Sequence, residues 1–136
     1  MSSFLKKPMT KRELINLCLE CLNVYEDYPF SEAAPNWAVI RHLGSKKGFA
    51  HIFDYKSELC INLKLNPFEG ELLRQNFDSI TAAYHLNKEH WNMVKLGGDV
   101  PIELLKDLIQ KSYGLTAVRH SVARIKNKNE NSFTKS

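Results

Sequence analysis

Glu58-Leu59-Cys60-Ile61-Asn62-Leu63-Lys64-Leu65-Asn66-Pro67-Phe68-Glu69 holds the two signals that decide the fold. Leu59, Ile61, Leu63 and Leu65 alternate with Glu58, Cys60, Asn62 and Lys64. A period of two predicts a strand with one buried face and one wet face. Asn66 then supplies an amide cap, Pro67 a first-turn residue with no N–H to satisfy, and Glu69 a carboxylate three residues after the cap, so a helix is expected over 67–76. Strand followed at once by helix sets the grammar for the rest of the chain.

Upstream, Thr10 and Glu13 form a capping-box pattern, and Leu14, Ile15, Leu17, Cys18, Cys21 and Leu22 recur at helical spacing, which predicts an amphipathic helix over about 11–22. Tyr28 to Pro35 reads as a loop, because each proline biases its predecessor away from the α region. Trp37–Leu43 and Phe49–Tyr55 read as strands, joined by a hairpin turn at Gly44-Ser45-Lys46-Lys47-Gly48. Downstream, 79–84 and 91–96 read as two further strands. Gly97-Gly98 turns the chain, and Pro101 opens a helix with Ile102, Leu105, Leu108 and Ile109 on one face, stopped by Gly114. Trp91 opens an alternating strand and is expected to be buried with Met93.

The order α-β-β-β-α-β-β-α with short connections predicts an α+β fold: an antiparallel sheet of about five strands with helices packed on it. One domain over 1–123 and a polar, basic, disordered tail over 124–136 are expected. No apolar run approaches the roughly 20 residues of a membrane span, and the first residues lack a signal-peptide pattern. Three cysteines without framework spacing fit reduced thiols. The expected location is the cytoplasm, with no membrane partner.

The net charge of +4 is uneven. Residues 115–136 hold Arg119, Arg124, Lys126, Lys128 and Lys135 against Glu130 alone, whereas residues 13–114 carry 10 basic and 14 acidic side chains. An acidic body with basic ends suits weak, salt-sensitive contact with a polyanion or simple solubility, and lacks the strong Lys/Arg excess usual in nucleic-acid domains.

Between the last two strands lies Tyr84-His85-Leu86-Asn87-Lys88-Glu89-His90-Trp91. With Pro29-Phe30, Trp37-Ala38-Val39, Phe49-Ala50, Leu63-Lys64, Pro67, Glu71-Leu72 and Ser112-Tyr113, this run resembles the MmcQ/YjbR family of small bacterial proteins over about residues 11–114. The resemblance implies a compact frataxin-like α+β fold with β-hairpins described as a double wing, and DNA as the leading partner. It carries no catalytic residues and no cofactor.

Two readings of the cluster stay open. His85 and Asn87 hydrogen-bond the backbone of a turn while Trp91 fills space; or His85, Asn87 and His90 present a surface to a protein or small ligand, with Lys88 as its charge. For DNA, the candidate contacts are Arg41, Lys46 and Lys47 at the hairpin, Lys88, and Arg124, Lys126 and Lys128 in the tail. Zinc lacks an evident third ligand beside His85 and His90, and a hard cation finds only Glu13 and Glu20 at helical spacing. Cys18 and Cys21 form a CxxC, but i and i+3 share the apolar face of the predicted helix, where thiols serve as small buried hydrophobes. No phosphate-binding loop, dinucleotide fingerprint, nucleophile elbow or HExxH motif is present. An acid–base pair of His85 or His90 with Glu89 or Asp78 is the one enzymatic alternative the residues offer.

Overall fold

The structure, a computed structural model, describes residues 8–83 and 86–117. Its elements are α1 (Lys11–Cys18), β1 (Val24–Asp27), β2 (Ala38–His42), β3 (Gly48–Tyr55), β4 (Glu58–Lys64), α2 (Pro67–Asn76), β5 (Ile80–Ala82), β6 (Trp91–Lys95) and α3 (Ile102–Leu115). The strands form a six-stranded sheet in the order β1-β2-β3-β4-β6-β5, and every neighbouring pair is antiparallel. The expected α+β architecture is therefore present, with one strand more than the sequence reading gave.

The caps form as the residues require. Thr10 Oγ accepts from the Glu13 N–H while the Glu13 carboxylate accepts from the Thr10 N–H, and Asn66 Oδ1 accepts from the N–H groups of Phe68 and Glu69. The hairpin between β2 and β3 turns at Gly44 (φ +83°) and Lys46 (φ 65°). Gly97 (φ +83°) sits in the turn that follows β6.

Four boundaries differ from expectation. Helix α1 stops at Cys18, not 22: Cys21 still packs into the core, but from a turn, and Asn23 in the left-handed region (φ 60°) redirects the chain into β1. Strand β1 itself carries no alternation, because all four of its residues are half-buried. Its Glu26 is held by Arg12 of α1 on one side and its Asp27 by Arg41 of β2 on the other. The strand after α2 is only Ile80–Ala82, not 79–84. Helix α3 passes through Gly114 to Leu115, since a glycine that faces open space ends nothing by itself.

The three helices cover one face of the sheet. Leu14, Ile15 and Cys18 of α1 and Leu105, Leu108 and Ile109 of α3 pack on Ala38, Ile40, Ala50, Ile52, Ile61, Leu63, Ile80 and Val94. Helix α2 approaches β6 through Gly70, where any Cβ would press on the Asn92 amide at 3.0 Å. At 25 cal/mol per Å² of apolar surface, a core of this kind is the main stabilising term.

Ser112 ties α3 to the sheet by a less usual route. Its hydroxyl, wholly buried, donates to the Phe49 carbonyl (2.6 Å) and accepts from the Lys64 N–H (2.8 Å). Those two backbone groups lie one step beyond the Ala50–Leu63 pair, so the side chain stands in for a rung of the β3–β4 ladder. Ser112→Ala removes that rung, and about 1–2 kcal/mol of stability should be lost, the lower part of the range for stranding buried polar groups because the two strands can draw together. Denaturant titration of the variant against wild type tests this, and an unchanged midpoint would show that the hydroxyl is dispensable.

Candidate functional site

Alternation along each strand sends half of its side chains to the face that carries none of the described helices. The paired registers Val39–His51, His51–Asn62, Phe53–Cys60, Asn62–Met93 and Lys64–Trp91 place these residues there together. This face was expected to be wet. It is not: Val39, Phe53, Cys60 and Asn62 are buried, because aromatic side chains from its rim lie over it.

Trp37, just before β2, stacks on Phe53 with ring centroids 4.3 Å apart and nearly parallel planes, and meets Phe30 edge-on. Its indole N–H donates to His51 Nδ1 (3.2 Å), and His51 in turn meets Trp91 edge-on at 5.6 Å. His51 is on β3 and Trp91 on β6, so their contact spans β4, and beneath it sits Asn62. Because Nδ1 accepts from Trp37, His51 is neutral with its proton on Nε2. Burial, and secondarily the Arg41 guanidinium, push it down to about 4.

Asn62 is the exceptional residue. Its side chain is 0 % exposed, and neither amide atom has a hydrogen-bond partner among the described residues. An unpaired buried amide costs free energy, and nearly all buried polar groups in folded proteins avoid it. Asn92, on the opposite face of the neighbouring strand, shows the usual solution: it is equally buried, but Arg74 donates to its Oδ1 and its Nδ2 donates to the His90 carbonyl.

Beside Asn62, on the same face, is a cavity of about 230 Å³ lined by Tyr55, Lys56, Glu58, Cys60, Asp78, Ser79, Thr81, Met93 and Lys95. Met93 belongs both to its wall and to the Asn62 pair. Lys95 contacts Glu58 at 3.2 Å across its edge.

The residues singled out from sequence are only partly gathered. Arg41, Lys46 and Lys47 share the β2–β3 hairpin, but the Arg41 guanidinium bonds Asp27 (2.7 Å) and the Lys46 carbonyl (3.0 Å). Lys46 and Lys47 are exposed and form no ion pair among the described residues. Lys88 is exposed in the turn between β5 and β6, with β4 separating that pair of strands from the hairpin. Asn87 is a turn residue: its Oδ1 accepts from the N–H groups of Glu89 and His90. His90 is 41 % exposed, with Glu89 at 4.0 Å. His85, Arg124, Lys126 and Lys128 lie outside the described residues. Trp91 and Met93 are half-buried on the face away from the helices, not in the core; Asn92 and Val94 are the buried residues of β6.

Cys18 and Cys21 are both buried thiols, each held above the usual range by burial first, as expected of small core side chains. Among the described residues no three His, Cys, Asp or Glu side chains are placed to hold a metal ion, and none of the helices is long and apolar enough to cross a membrane. Trp37, His51, Asn62 and Met93 were not singled out from sequence as site residues; Met93 was read only as a buried neighbour of Trp91. The clue available was weak: an amide at a wet position of the clearest strand differs from a lysine only once its surroundings are known.

The comparisons with known proteins agree with this fold. A family model, YjbR, matches residues 19–115. The uncharacterised protein YyaQ of Bacillus subtilis is 30% identical over 118 residues, which span 79% of this chain and 98% of the relative. The uncharacterised protein YbdF of Escherichia coli is 43% identical over 68 residues, or 47% of this chain and 56% of its own. A crystal structure of a Pseudomonas syringae protein superposes with a TM-score of 0.73 at 30% identity, covering 79% of this chain and 99% of that one. A Deinococcus radiodurans protein with a DUF419 domain gives 0.69 at 37% identity, over 80% of both chains. Matched over most of its length in sequence and in shape, the chain belongs to the YjbR family.

Proposed function

We propose that this protein is a binding module whose ligand seats on the face of the sheet opposite its helices. The observation that carries the reading is Asn62, a fully buried amide with both atoms unpaired among the described residues, beneath the His51–Trp91 contact and separated by Met93 from a cavity. Polar groups left unpaired by their own chain are satisfied from outside it, by a ligand, an ion or an ordered water, or mark a functional strain. His51 suits positioning better than acid–base work, because its Nδ1 is already engaged by Trp37 and its basicity is depressed. Screening a library of small neutral amides and aromatic compounds by amide NMR should concentrate shifts on His51, Asn62, Trp91 and Met93. Shifts confined to the helical face, α1 or α3, would defeat the proposal.

A second reading, DNA binding through the hairpin tip, is favoured by one observation: Lys46 and Lys47 stand exposed at the β2–β3 turn without an ion pair among the described residues. Against it, residues 8–117 carry 12 basic and 14 acidic side chains, and Arg41 is neutralised by Asp27. Such binding would be weak and would fall steeply with salt through counterion release. If the tip is the contact, changing Lys46 and Lys47 together to alanine should lower the salt slope by about 2, whereas removing Arg124, Lys126 and Lys128 should do so if the tail dominates. No retardation of duplex DNA at low salt would reject the DNA reading.

A further inference from the structure

We infer that the ligand of this face is a small, uncharged planar ring that carries a hydrogen-bond donor and an acceptor side by side, the lactam or amidine edge found on a nucleobase. The inference rests on the binding reading above and adds the chemical class. Three observations converge on it.

The first is the orphan amide. Asn62 offers one acceptor and a pair of donors from a single plane, and no described residue uses them. A ligand atom that only accepted, such as a carboxylate or phosphate oxygen, would leave the Asn62 carbonyl oxygen unpaired. A ring edge with adjacent donor and acceptor pairs both, as asparagine does with a base edge. The charge balance of the pocket points the same way. The Lys95 ammonium is at 3.2 Å from Glu58, and the cavity is lined by two basic residues, Lys56 and Lys95, against two acidic ones, Glu58 and Asp78, so there is no excess positive charge for an anion.

The second is the surface around it. Tyr55 stands on the cavity wall, and the touching rings of His51 and Trp91 lie on the Asn62 side of Met93, next to the cavity rather than lining it. Flat aromatic surfaces recognise flat ligands by stacking. The third is size and access. A cavity of about 230 Å³ is below the roughly 300–1,000 Å³ of sites for drug-sized ligands, so it holds one small ring. Met93 lies between that ring and Asn62, and its unbranched thioether chain is the side chain best able to fold aside. Entry through Met93 leaves the Trp37–His51–Trp91 arrangement in place.

Such an edge occurs on a free heterocycle and on an unstacked base in a single strand, and the test separates the two. Uracil, toluene and a short thymidylate oligomer are titrated into the full chain, followed by the Asn62 side-chain amide, the Met93 methyl and Trp91 indole resonances. Uracil should move all three, and Asn62→Leu should weaken it about tenfold to a hundredfold, the worth of one bidentate pair. That variant is expected to fold, since it replaces an unpaired buried amide with an apolar side chain, and a thermal melt checks this directly. Tighter, salt-dependent binding of the oligomer than of uracil would assign the ring to single-stranded nucleic acid; equal or weaker binding would assign it to a free heterocycle. Toluene binding as well as uracil, or unaltered uracil affinity in Asn62→Leu, would overturn the ligand class while leaving the binding face standing. Absence of any shift at Asn62, Met93 and Trp91 with all three probes, together with library hits elsewhere, would overturn both.

Discussion

As pH falls from about 6.5 to 4, the folded protein should lose roughly 2–3 kcal/mol of stability through His51 alone. In the unfolded chain this imidazole takes up its proton near pH 6.5, whereas in the folded chain burial, and then the Arg41 guanidinium, hold it down to about 4. Between those limits the unfolded state binds more protons, so acid favours unfolding at about 1.36 kcal/mol per pH unit, and the partial exposure of the residue trims the full value. Above pH 6.5 the contribution is fully present; below 4 it has been lost. The hydrogen bond explains why the ring resists: a proton on Nδ1 would face the Trp37 indole N–H, donor against donor. His42, lowered by burial beside Thr116, adds a smaller loss of the same sign, and Glu26 and Asp99, held below the usual carboxylate range, add theirs at lower pH. The difference between wild type and His51→Gln isolates the effect, because glutamine keeps an acceptor for Trp37 and does not titrate. Denaturant unfolding from pH 7.5 to 4.5 should give a flatter profile for the variant. Parallel profiles would mean that His51 protonates in the folded state at little cost.

How much of this was legible beforehand depends on whether the deciding physics was local. Caps are local: Thr10 with Glu13 and Asn66 with Glu69 needed only three residues of sequence each, and they formed as read. The alternation from Leu59 to Leu65 was local too, and it placed Ile61, Leu63 and Leu65 in the core. Strand β1 escaped because its half-buried residues are stabilised by ion pairs to elements 14 residues away, which no period reveals. The binding face escaped for a related reason. Polar alternation said that Cys60 and Asn62 look away from the helices, which is correct, but not that Trp37 and Trp91, from distant parts of the chain, would come to lie over that face. The His85–Trp91 run drew attention for its composition. It proved informative through Trp91 and the Asn87 turn; His85 itself lies outside the described residues.

The two buried asparagines should respond to leucine in opposite directions, and that contrast separates a group kept for structure from one kept for a ligand. Asn92→Leu removes the partner of Arg74 and the close fit against Gly70, leaving a part-buried guanidinium without its acceptor and a bulkier side chain at a spot so tight that a Cβ added to Gly70 would meet the Asn92 amide at 3.0 Å. Stranding a charged partner and overpacking each destabilise, and a loss of about 2–4 kcal/mol is expected. Asn62→Leu strands no described residue, because none bonds it, and it removes the standing cost of an unpaired buried amide. A gain of about 1–3 kcal/mol should follow, the usual penalty of such a group, provided the leucine fits between His51 and Met93. Sites that bind tend to keep such costs, which is why stabilising changes there are bought with function. Thermal melts of both variants in the absence of ligand decide the matter. If Asn62→Leu is the less stable protein by a margin like that of Asn92→Leu, its amide has a structural partner in solution, and the argument for a ligand at this face loses its foundation.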